Sequence, residues 1–124
     1  MIAKTVLLAL CASVLLLSGC AGSPQKHLGR AYQAYEAGSC EQAQQALIRA
    51  EHHNYSRGHL QPDISLLRGL CLERQALYLD AAQTYHFILR HYPQSEPGYR
   101  AGARLETLRQ LGYVDPAQQL KPQD

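Results

Sequence analysis

From residue 26 onward the apolar residues recur every three or four positions, a period that fits helices and excludes sheets. Leu28, Ala31, Tyr32, Ala34 and Tyr35 share one stripe that stops at Gly38, predicting a first helix over about 26–37. Ser39 then stands where an N-cap belongs, and Ala43, Ala46, Leu47 and Ala50 carry a second helix down to His53. Asn54 to Gln61 has turn residues and no period, and Pro62 fits the first turn of a third helix bearing Ile64, Leu67, Leu70 and Cys71. A fourth runs from about Tyr78 to Tyr92 on Ala81, Ala82, Tyr85, Ile88 and Leu89, with Tyr78 and Tyr85 as core residues. Pro93 ends it, Ser95 caps a fifth, and Leu105, Leu108 and Leu111 line that helix up to Gly112. Residues 113–124, with Pro116 and Pro122, read as a flexible tail. No strand-like alternation competes, so the fold class is all-α.

The amino-terminal segment is of a different kind. Lys4 supplies one positive charge, and Val6 to Leu17 is an apolar run broken only by Cys11 and Ser13. The run is short for a membrane span and is followed closely by Ser18, Gly19, Gly22, Ser23 and Pro24, the pattern of a secretory signal. Leu17-Ser18-Gly19-Cys20 resembles a bacterial lipobox. That resemblance implies a signal peptide over 1–19, cleavage before Cys20, a diacylglyceryl group on its sulfur and an acyl chain on its new amine. Small residues admit the peptidase, and only a thiol carries the thioether lipid. Several acyl chains exceed the two-signal threshold for stable anchoring, each buried methylene contributing about 0.8 kcal/mol. Ala21 stands where an acidic residue would resemble an inner-membrane retention signal. The expected location is therefore the periplasmic face of the outer membrane, with residues 20–25 as lipidated cysteine and tether.

Lys4 is the one charged residue among the first nineteen, so 11 of the 12 basic residues remain in the mature chain against 10 acidic ones. This near-neutral body has no basic block or aromatic-interleaved stripe for nucleic acid, which is not expected as a partner. The six histidines lack metal-ligand spacing: His52 and His53 are adjacent and point apart, and His86 and His91 are five apart. Surface positions are expected for them, with no metal and no cofactor beyond the lipid on Cys20. No nucleophile elbow, phosphate loop or paired-carboxylate motif is present, and the chain is not expected to be an enzyme.

The two helix pairs can be laid over one another. Ala31 and Ala43 correspond to Gly69 and Ala81, placing small residues where two helices cross closely, and the second pair ends in Tyr92-Pro93. In these features residues 26–112 resemble the tetratricopeptide repeat family, and HYPQSEPGYRAGARLETL is similar in style to repeats of periplasmic assembly lipoproteins. The offset between the matched positions is 38 residues against the usual 34, and the first repeat lacks the terminal proline. The resemblance implies a short helical-hairpin array of two pairs plus a C-terminal capping helix.

In that architecture the second helix of one repeat lies antiparallel to the first helix of the next. The resemblance thereby implies that Cys40 and Cys71, the pair left after processing, lie near each other. They are either bridged by a disulfide, worth roughly 3 to 4 kcal/mol by the chain-entropy model, or buried as small apolar groups. The family's inner-face pattern selects a partner groove of Tyr32, Tyr35 and Glu36 on the first helix and Leu66, Leu70, Glu73 and Arg74 on the third. For the two leucines, burial beneath the fifth helix or in a dimer is the alternative. The implied function is a membrane-anchored adaptor or assembly lipoprotein that binds a protein partner of an envelope machine for secretion, pilus assembly, barrel assembly or polysaccharide export. The rival functions are a self-associating structural lipoprotein forming a homo-oligomer and an accessory subunit of a cell-wall enzyme.

Overall fold

The computed structural model describes Ile2, residues 22–54 and residues 58–115. The signal segment from residue 3, Cys20, and the tail from residue 116 lie outside the described residues. Among the described residues five helices from residue 24 onward follow one another: α1 (Pro24–Glu36), α2 (Cys40–Asn54), α3 (Gln61–Arg74), α4 (Tyr78–His91) and α5 (Glu96–Gln110). No strand occurs among the described residues. Each helix packs on the next, and α3 also packs on both α1 and α5. The first helices α1, α3 and α5 thus form one layer and α2 and α4 the other, in an all-α array of helical hairpins.

The turns explain the antiparallel pairing. After α1, Ala37 donates to the carbonyl four residues back, Gly38 to that three back, and Ser39 to that five back, at 2.9–3.0 Å. Gly38 takes a left-handed φ of 85°, which closes the helix and satisfies its last carbonyls. The same three bonds recur after α3 through Gln75, Ala76 and Leu77, and again after α5 through Leu111, Gly112 and Tyr113. Ala76 and Gly112 occupy the left-handed position with φ of 60° and 74°. So α5 ends as α1 and α3 do, and is built as the first helix of a third unit.

Two starts differ from expectation. The tether was expected to reach residue 25, but the Ser23 hydroxyl accepts from the Lys26 amide and Pro24 sits in the first turn, so α1 begins there. Proline with small residues resembles a linker, yet proline has no N–H to lose at a helix start. The tail was expected from 113, but Val114 is buried in the core and the Tyr113 ring stacks on Tyr78 with centroids 4.0 Å apart. Leu111, placed on the apolar stripe, is 61% exposed because the helix has already ended.

Helix α3 divides the core. Ile64 and Leu67 pack with Leu28, Ala31, Ala46, Leu47 and Ala50. Leu66 packs on the opposite side with Ala81, Ala82, Tyr85, Ile88, Ala101, Leu108 and Val114. Half-buried Leu70 touches both groups. At the α2–α3 corner Asn54 is buried and its side-chain oxygen accepts from the Leu60 amide at 3.4 Å; of the loop expected over 54–61, residues 55–57 lie outside the described residues.

Candidate functional site

The layer of α1, α3 and α5 carries the sequence-predicted groove, and it sorts those seven residues into distinct roles. Tyr32 and Tyr35 are half-buried on α1, and Glu36 and Arg74 are exposed. The Arg74 guanidinium carbon lies 3.6 Å from the Tyr35 ring centroid, and its Nη1 donates to the Tyr35 carbonyl. An aromatic face and a delocalised cation are thus presented together at the carboxyl ends of α1 and α3.

Two expectations are corrected. Leu66 is fully buried against α4 and α5 and cannot contact a partner. Its place on a helix covered from both sides leaves almost no apolar position of α3 for the surface. Glu73 is not a free groove charge, since its side chain is only 12% exposed. It accepts from the Tyr85 hydroxyl at 2.8 Å and from Arg104 Nε at 3.1 Å, and forms an ion pair with Arg104 Nη2. Burial first, and then Glu73, push the Tyr85 phenol pKa up, while the bond to Glu73 raises that of Arg104.

A second polar group, absent from the predicted groove, lies toward the amino ends of the same helices. Arg100 on α5 lies near enough to Tyr32 on α1 for its charge to oppose the rise in the phenol pKa, and it sits 3.7 Å from Glu96. Burial and then the Asp63 charge raise the Tyr32 phenol; burial and then Glu96 raise the Asp63 carboxyl. The pattern carried across from the first repeat stopped at α3, so α5 contributed nothing. Treating α5 as a first helix would have exposed Glu96, Arg100 and Arg104 as candidates.

Cys40 and Cys71 do come together. Both are buried thiols in one small cluster with Ala43, and the Cys71 sulfur is 4.0 Å from the Cys40 carbonyl oxygen. Burial, and then contact with Cys40, push the Cys71 thiol up to about 12. The histidines divide as well: His52, His53, His59 and His91 are exposed, but His27 is buried, against expectation. Its ring stacks on His53 at 5.2 Å, because the start of α1 and the end of α2 meet there. Among the described residues no three His, Cys, Asp or Glu side chains are grouped to hold a metal ion, and no helix is long and apolar enough to cross a membrane. No family model matches the chain, and neither does any curated protein or solved structure.

Proposed function

We propose that this chain is a lipid-anchored adaptor of the outer membrane, in which a tetratricopeptide-like array docks a segment of a protein partner from an envelope machine. The observation that carries the reading is the layer of three first helices, each closed by the same hydrogen-bonded turn, with Tyr32, Tyr35 and Arg74 on its surface. Aromatic area for anchoring beside charges for orientation suits a peptide-binding face. The lipobox-like Leu17-Ser18-Gly19-Cys20 supplies the anchor, with the covalent lipid as the one non-protein group. Catalysis has no place in this mechanism: the anchor fixes the module at the membrane and the helical layer holds the partner.

The test is a crosslinking pull-down from membranes with the native chain, Tyr35→Ala and Arg74→Glu. Each substitution should release the partner while leaving the helical circular dichroism unchanged. Retention by both variants would remove this face as the binding surface. Mass spectrometry of the mature amino terminus checks the anchor separately, and any terminus other than an acylated Cys20 would sink it.

A further inference from the structure

The chain contains no acidic residue before Glu36. Its early basic residues are brought by the fold against two more from α2. Lys26 and Arg30 are one turn apart on α1, and Arg49 and His53 are one turn apart on α2. The stack of His27 on His53 fixes the two helices side by side at this end. All four flanking side chains are exposed. The nearest acid on α2, Glu51, is turned away into a pair with Arg68 at 2.9 Å. The buried His27 imidazole registers the concentration of charge. Its pKa is lowered first by burial and then by His53, Arg30, Arg49 and Lys26, and no carboxylate among the described residues offsets them.

We infer that Lys26, Arg30 and Arg49 form a docking surface for anionic phospholipid headgroups, which orients the module on the leaflet that holds its anchor. This inference rests on acylation of Cys20. Five residues lie between Cys20 and Lys26, a reach of at most about 20 Å even when fully extended. The patch is therefore held close to the headgroups, where positive charge is attracted within about a Debye length. An acidic protein would complement the same charges, but nothing holds one at this end of the molecule, whereas the anchor holds the bilayer there. With this end on the membrane, the carboxyl ends of α1 and α3, where Tyr35 and Arg74 lie, face away from it.

The lipidated protein is reconstituted into vesicles of phosphatidylcholine alone or with added phosphatidylglycerol, and Lys26 is labelled with an amine-reactive reagent against Lys121 as internal reference. Lys26 labelling should slow by about fivefold or more on the anionic vesicles alone, each basic residue contributing roughly a fivefold shift toward the docked state. High salt, or Arg30→Glu with Arg49→Glu, should abolish the protection. Equal labelling on both vesicle types would overturn the inference, as would protection that survives salt or the double substitution. Shielding of Lys26 in native membranes without protection on anionic vesicles would overturn it in favour of an acidic protein. Flotation with phosphatidylcholine vesicles reads the anchor separately. A chain that fails there has lost the anchor, and salt-sensitive flotation with phosphatidylglycerol vesicles would still support the patch, while its absence would overturn it.

Discussion

Gly69 offers the sharpest test of how the second helix pair is interlocked. A β-carbon at this position would lie 2.5 Å from Tyr85 Cε1 and 3.1 Å from Cδ1 and Cζ. Carbon atoms prefer about 3.5–4.0 Å, so Gly69→Ala demands a shift of roughly 1 Å. The ring has little freedom to give it, being fully buried and tied through its hydroxyl to Glu73. Overpacking of this kind costs about 1–3 kcal/mol, and the better helix propensity of alanine returns about 1 kcal/mol. A net loss of up to about 2 kcal/mol is expected, up to about 1 M in urea midpoint. Gly29→Ala is the control, since a β-carbon on that exposed turn of α1 meets nothing within 4 Å. It should stabilise by up to about 1 kcal/mol. Urea unfolding followed by far-ultraviolet circular dichroism measures both. Equal stabilisation by the two substitutions would mean that Tyr85 yields without cost, and the close crossing of α3 and α4 would not depend on glycine.

Glu73→Ala should cost about 1–3 kcal/mol in the same assay, mainly because it leaves the buried Tyr85 hydroxyl without its acceptor, whereas Arg104 is 41% exposed and can turn to water. Ala76→Gly should stabilise by a few tenths to about 1 kcal/mol, since Ala76 holds the left-handed position that Gly38 and Gly112 fill elsewhere. His27 titrates below its ordinary 6.5 in the fold, so between its folded value and 6.5 the unfolded chain binds more protons. Stability should therefore fall as pH drops below 6.5, and His27→Gln should flatten that decline in unfolding measured across the range. Thiol counting on denatured protein isolated without reductant should find Cys40 and Cys71 oxidised to each other, closing a sequence separation of 31 residues. Two free thiols would leave them as core residues only.

The helices were legible because their boundaries are marked by residues whose chemistry is local: Gly38 and Ser39 between α1 and α2, Pro62 inside α3, Ser95 before α5. The Ser95 hydroxyl accepts from Gly98 as a cap should. The site was less legible, for two physical reasons. Helix α3 is covered on opposite sides, so its apolar positions do not report one face, and Leu66 was assigned to the groove when it belongs to the core. Charges pair across long separations that no spacing rule sees, and Glu73 finds Arg104 31 residues away. The tail failed for a related reason. Tyr113 and Val114 are too few to show a period, and only the fold places them against Tyr78 and the core.

The polar links also limit how the layer could receive a partner. Two units and a single further helix make a short array, and stacked repeats ordinarily gain stability from about three units. Here the layer is tied by charge and hydroxyl contacts as well as by packing: Glu73 to Arg104 joins α3 to α5, and Glu73 also accepts from Tyr85 on α4. That link is largely buried at Glu73, whereas Arg100 is exposed and its ion pair with Glu96 is a surface one of small worth. A docking segment could therefore break the contacts of Arg100 at little cost but not those of Glu73. Its acidic or carbonyl groups would find Arg100 and Arg74 as available cations on the layer, at the amino and carboxyl ends respectively. Arg74 would have to remain over Tyr35 to keep that ring in place. The face is thus fixed at its α3–α5 seam and adjustable at Arg100, so adaptation to a bound segment should be confined to the amino ends of α1 and α5.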